Sequence, residues 1–324
     1  MPPRLARLLA VLAAVALVAG ALVLRSALAG DDGSSDDEGP AGGPPDGGYQ
    51  VLCDADLGDA ACEAVAALDD VAEVEVLTAD EAVAALTEDA APSWDAWLTL
   101  DPWPDMLDVA RGEATLTPTT GTERVPVASS TSALLARADD LDCPAPVTWA
   151  CLADAATGGA DIGMPALGSA GGPLVLGLAA TGLEGTVDFG IGAVLGGPVE
   201  DQLADLLDSA DPGTLAEQDD LATRPGTYQA IATIDGLAGP TAETPQGEQQ
   251  GLAALALDPA ATLGVVLAPL GPEGPGAVDR LRDQVTGQTV TDGLAEAGWS
   301  GDAARTTGLP APDLLYRLDE EFTR

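Results

Sequence analysis

The chain of 324 residues carries 53 acidic residues against 12 basic ones, all of them Arg, for a net charge of -41. Clustered cations that could neutralise phosphates are missing, so nucleic acid is excluded as a partner. The sequence also contains no His, which removes Ser-His-Asp and Cys-His nucleophile activation, imidazole zinc sites and the commonest general base. What enzyme chemistry remains would rest on carboxylates, as in a secreted glycoside hydrolase. Among 53 acids some pair always has a plausible separation, so no enzyme is expected.

Arg4 and Arg7 precede an apolar run over residues 8–24, and Ala27 and Ala29 supply a small-x-small site before Gly30. Residues 1–29 therefore read as an export signal cut before Gly30, with an uncleaved anchor over 8–24 as the alternative. Residues 30–48 (GDDGSSDDEGPAGGPPDGG) hold no large apolar side chain and form an acidic Gly/Pro linker. The rest is expected outside the cytoplasmic membrane, secreted or in the cell envelope, touching a membrane only through its N-terminal segment. Cys53, Cys62, Cys143 and Cys151 all fall in this exported part, where an even count reads as disulfides. The short loops 53–62 and 143–151 give the simplest of the three connectivities, each worth roughly 2–3 kcal/mol. Their spacings are too wide for the Cys pairs of a structural zinc site.

The folded part opens with alternating strands and helices. A strand over 49–53 (YQVLC) is followed by a helix from Asp59 to Leu68. A one-face-buried strand follows over 73–77, then a helix headed by the capping box Thr78 and Glu81. Residues 94–100 (WDAWLTL) form a third strand, Pro104 enters the next helix, and Gly112 ends it. Residues 124–128 return as a strand, and Ser129–Ser132 read as a turn that opens a helix over 133–138. Further on come a helix over 144–156, a short strand over 161–167, and an apolar helix over 173–183 entered through Ser169-Ala170-Gly171-Gly172. An amphipathic helix over 202–207 and a strand over 227–234 are followed by a Gly, Pro and Gln-rich loop to 251. An apolar segment over 252–270 precedes a helix over 278–297 and a terminal helix from Ala311.

This order predicts a doubly wound, mostly parallel sheet, which binds ligands beyond the carboxyl ends of its strands. The loops there supply Asp54 and Asp56, then Asp101 and Trp103, then the hydroxyls of Ser129, Ser130 and Thr131. In the second lobe, Ser169, Ala170, Gly171 and Gly172 place backbone amides at a helix N-terminus, and Tyr228 lies near the return crossing. Each segment also has a plain reading as an N-cap, a tight turn or a core aromatic. The D-x-D-x-x-D run of Asp54, Asp56 and Asp59 lacks the Gly and Glu positions of a calcium loop. No metal and no cofactor is expected.

Taken in order, these segments resemble the type 2 periplasmic solute-binding proteins, the substrate-binding components of ABC importers. VLCDADLGDAACEAVAAL is similar to the family's first strand, ligand loop and helix, and DAWLTLDPWPDML to its third strand and loop. VPVASSTSALLAR resembles the crossover segment, IGMPALGSAGGPLVLGLAATG the second-lobe ligand helix, and AVDRLRDQVTGQTVTDGLAEAGW the C-terminal helix. The resemblance implies an α/β fold of two lobes, each a doubly wound mostly parallel sheet flanked by helices. Lobe 1 would comprise 49–128 completed by 258–324, and lobe 2 would comprise 129–257. It implies a monomer that binds a small polar solute in the interlobe cleft and meets an ABC permease or another membrane protein. A degenerate envelope or sensory module without transport is the alternative. No Arg, Lys or His falls in the ligand loops, so the expected solute is neutral, zwitterionic or cationic.

Overall fold

The computed structural model describes residues 47–88, 91–120, 124–137, 140–208, 213, 215, 227–270 and 278–323. The export segment and nearly all of the linker lie outside them. Among the described residues nine strands form one continuous mixed sheet. They are β1 (Tyr49–Asp54), β2 (Val71–Leu77), β3 (Ala96–Asp101), β4 (Val125–Arg137), β5 (Val147–Thr148), β6 (Ile162–Gly163), β7 (Ala230–Ile234), β8 (Leu252–Asp258) and β9 (Thr262–Pro269).

Two half-sheets share β4. Its first part pairs with β9, giving the order β2-β1-β3-β9-β4. Its second part lies between β7 and β8, which carry β6 and β5 on their outer sides. In the first half β9 alone runs against its neighbours, and in the second half β4 does. Both halves are therefore mostly parallel by strand direction. The chain crosses once along β4 and returns between β8 and β9.

The helices are α1 (Asp59–Ala66), α2 (Ala79–Glu88), α3 (Trp103–Glu113), α4 (Trp149–Thr157), α5 (Gly171–Glu184), α6 (Ile191–Val194), α7 (Pro198–Leu207), α8 (Asp235–Ala242), α9 (Pro245–Gln250), α10 (Asp279–Val285), α11 (Gln288–Glu296) and α12 (Pro312–Thr323). Among the described residues no helix is long and apolar enough to cross a membrane. The capping box before α2 forms as expected, with Glu81 accepting the Thr78 N–H at 3.1 Å and the Thr78 hydroxyl accepting the Glu81 N–H. Both expected disulfides, Cys53–Cys62 and Cys143–Cys151, are present.

Several expectations need correction. Residues 129–137 are not a turn and a helix but the continuation of β4. Leu134 and Ala136 face one core and Ala133 and Leu135 the other, so this strand is apolar on both faces and mimics a buried helix. The helix expected from 144 begins at Trp149, because Thr148 caps it by accepting the Cys151 N–H. Gly112 lies inside α3, which runs on to Glu113. The loop expected over 235–251 contains α8 and α9, the 278–297 helix is two helices, and the apolar 252–270 segment is the β8–β9 pair.

The main core runs through both halves, while a smaller cluster of Ala133, Leu135, Tyr228, Ile231, Ala238 and Leu252 sits under α8. α12 buries Leu314, Leu315 and Leu318 and packs on α3 of the first half and α5 of the second.

Candidate functional site

Strands β1, β2, β3 and the first part of β4 point the same way, so their carboxyl ends share one edge. At this edge β1 ends in Asp54, which is 1% exposed. Its carboxylate accepts the Asp56 N–H at 3.1 Å, capping the short 3-10 turn Ala55–Leu57, and the Thr99 hydroxyl at 2.7 Å. Burial, and then the neighbouring charge of Asp56, push the Asp54 carboxyl up to about 8 against the opposing pull of those two hydrogen bonds.

Asp56, equally buried, reaches across to the second half. Its carboxylate accepts the N–H of Gly171, the first residue of α5, and the N–H of Leu215 at 3.0 Å. Beside it the Trp103 indole N–H donates to the carbonyl of Ala170 at 2.8 Å, and the Asp80 N–H donates to the carbonyl of Gly168 at 3.3 Å. Ser169 turns inward, its hydroxyl accepting the Gly172 N–H at 3.2 Å. The segment 168–172 thus lies directly on the loops that follow β1, β2 and β3. A Cβ at Gly171 would run into Leu215, and one at Gly172 into the Ala166 carbonyl, so only glycine lets these amides approach.

The other flank is closed as well. The Ser130 hydroxyl lies 2.6 Å from the Asp235 carboxylate and 3.0 Å from the Gly298 carbonyl, and the Thr131 N–H donates to Asp235 at 3.0 Å. Gly236 is packed so closely that a Cβ there would strike the Gly298 carbonyl. The Ser129 hydroxyl donates to the Asp302 carbonyl at 2.7 Å. Asp101 receives a two-pronged pair from Arg305 at 2.7 and 2.9 Å and the Thr306 N–H at 3.0 Å, with Arg124 at 3.6 Å.

Asp54, Asp56, Trp103 and 169–172 therefore meet in one network. Ser130 and Thr131 meet in another with Asp235, Ser129 bonds to the strap after α11, and Asp101 bonds to Arg305. Tyr228 is apart from all of them, buried in the cluster under α8. Reading the sequence missed the partners Leu215, Asp235, Gly298 and Arg305, since nothing in local spacing ties Arg305 to an acid 204 positions away.

Two cavities lie elsewhere. One of about 560 Å³ is lined by Thr148, Thr181, Thr186, Val187, Asp258 and Pro259 among others, and one of about 300 Å³ is lined by residues including Met164, Leu207 and Phe322. No candidate residue lines either of them.

No family model and no curated protein matches the sequence. Solved structures do match in shape. Ferric ion-binding protein A of Pasteurella haemolytica, in its apo form, is 12% identical over 86% of this chain and 96% of its own, with a TM-score of 0.55. The periplasmic binding protein AfuA of Actinobacillus pleuropneumoniae, with fructose-6-phosphate bound, is 13% identical over 81% and 85%, with a TM-score of 0.51. An ABC transporter structure from Clostridium perfringens is 11% identical over 79% and 87%, with a TM-score of 0.50. At such identities the likeness speaks for architecture, and it agrees with the two half-sheets joined by β4 and the β8–β9 return. The chain has the two-lobed α/β fold of the periplasmic binding proteins.

Proposed function

We propose that the protein is an extracytoplasmic binding protein that holds a small polar solute between its two halves and presents it to an ABC-type importer. The observation that carries this reading is the double crossing through β4 and the β8–β9 return, which sets the edge loops of one half against the α5 N-terminus of the other. Two adjacent crossings form a natural hinge, and closure about it would enclose a ligand. On this reading lobe 1 is 49–128 with 258–324, lobe 2 is 129–257, and residues 1–29 direct export or anchor the chain.

The charge around the edge supports a neutral, zwitterionic or cationic solute. Asp56, Asp101 and Asp235 are concentrated there, while Arg305 and Arg124 are engaged with Asp101 and Asp105. A thermal-shift screen at high salt across sugars, amino acids, polyamines, oxyanions and metals tests this. Stabilisation should follow the ratio of solute concentration to Kd, without turnover. Micromolar calorimetric binding of molybdate, sulfate or phosphate would overturn the charge assignment.

A second reading, an envelope or sensory module that has lost transport, is favoured by the closed network around Asp56. A complete screen without any shift would select it.

A further inference from the structure

We infer that Asp56 is a built-in occupant of the interlobe cleft, a latch that holds the solute-free protein closed. An α-helix leaves its first amides without intrahelical partners, and its N-terminus favours a negative charge. In this protein a side chain of the opposite half takes that position. The Asp56 carboxylate takes the Gly171 N–H with one oxygen and the Leu215 N–H with the other. Both donors belong to the second half, and the turn that carries the acceptor belongs to the first.

The surroundings fit the contact closely. Gly171, whose amide donates to Asp56, leaves no room for a Cβ against Leu215, and Gly172, whose amide donates to Ser169, leaves none against the Ala166 carbonyl. The Trp103 indole ties the preceding carbonyl, Ala170, to the first half, and Asp80 ties Gly168. Asp56, Trp103 and Gly171 are buried, so separating the halves would strip a buried carboxylate of its donors unless water or a solute replaced them. A solute entering the cleft would have to compete with Asp56 for the same amides. This autoinhibitory role rests on the solute-binding reading for what it regulates, but the latch itself does not.

The test compares solute-free wild type, Asp56→Asn and Asp56→Ala by small-angle scattering and amide hydrogen exchange, with circular dichroism as the check on folding. Wild type should scatter as a closed molecule. The folded variants should have a larger radius of gyration, and exchange at Gly171 and Leu215 should rise roughly ten- to a hundredfold, as loss of a charge-assisted hydrogen bond allows. Trp103→Phe should shift the same amides in the same direction by less. The latch is refuted if solute-free wild type is already open, or if folded Asp56→Asn keeps wild-type exchange at Gly171 and Leu215. Should Asp56→Ala fail to fold, the Asn variant and the wild-type scattering decide. A solute screen on Asp56→Asn separates the two ideas. An opened variant that binds nothing retains the latch and removes the transport reading, whereas a variant that stays closed and still binds solute removes only the latch.

Discussion

Asp54 and Asp101 end neighbouring parallel strands on the same sheet edge, and both are buried, at 1% and 3% exposure. Their circumstances are nevertheless opposite. Asp101 is met by the Arg305 guanidinium in two-pronged geometry, by the Thr306 N–H and by Arg124. Asp54 has one hydroxyl, one amide and a second carboxylate for company, so burial and the Asp56 charge raise it to about 8. The same residue at equivalent places is a counterion at one strand end and a protonated acid at the other at neutral pH. Partners brought from distant parts of the chain make the difference, since strand position is shared.

The sharpest way to break this comparison is to make one substitution at both places. Asp101→Asn should cost about 3 kcal/mol of stability, because it discards a buried ion pair and leaves the amide facing Arg305. The loss stays below the upper end for buried pairs, since Arg305 is half exposed and Arg124 keeps Asp105. Asp54→Asn should instead be neutral or stabilising above pH 8, because there it removes a buried charge beside Asp56. Chemical denaturation of both variants at pH 9 gives the signs, and equal destabilisation would erase the distinction between the two ends.

The pH dependence of the wild type is the next expected effect. An unfolded Asp titrates near 4, whereas folded Asp54 holds its proton to about 8. Between those values the native state binds the extra proton, so stability falls as pH rises from about 4 to about 8 and levels off beyond. Asp319 in α12 acts in the same direction up to about 7, raised by burial first and then by Asp80, against its hydrogen bond with Thr323. After relaxation of the buried site, Asp54 should contribute on the order of 2–3 kcal/mol over this window. Titration of the other carboxylates on a -41 chain adds to the trend, so the measurement is the difference between wild type and Asp54→Asn at constant high salt. Parallel stability profiles would show that Asp54 is not the proton holder.

Much of this arrangement was legible in the sequence, for reasons that particular residues make plain. The Thr78–Glu81 capping box, the two short disulfide loops and the glycine-opened α5 are local signals, and local signals suffice for local structure. The strand nature of 129–137 was hidden because burial on both faces removes the alternation that identifies strands. The edge loops holding Asp54, Asp56, Asp101 and Trp103 could be proposed from the strand order alone. That Asp56 meets Leu215, 159 positions away, depends on how the halves meet, and that Ser130 meets Asp235 depends on the pairing of β4 with β7; neither leaves a mark in spacing. Tyr228 shows the limit from the other side. Its place near the expected return crossing put it among the site residues, but its side chain is buried with Ala133, Leu135 and Ala238.

The smallest effect refines the comparison from the side of the partner. Thr99 is fully buried on β3, and its hydroxyl donates to Asp54 at 2.7 Å. Thr99→Val keeps the β-branched shape that suits the strand and removes only that donor. A hydrogen bond to a neutral carboxyl is worth about 0.5–1.5 kcal/mol, and one to a carboxylate about twice as much. The substitution should therefore cost about 1 kcal/mol at pH 6, where Asp54 is protonated, and visibly more at pH 9, where it is charged. Because the hydroxyl favours the ionised form, its loss should also move the Asp54 transition to higher pH. An equal cost at both values would mean that Asp54 is already ionised at pH 6, and that the two ends of the edge differ less than their partners suggest.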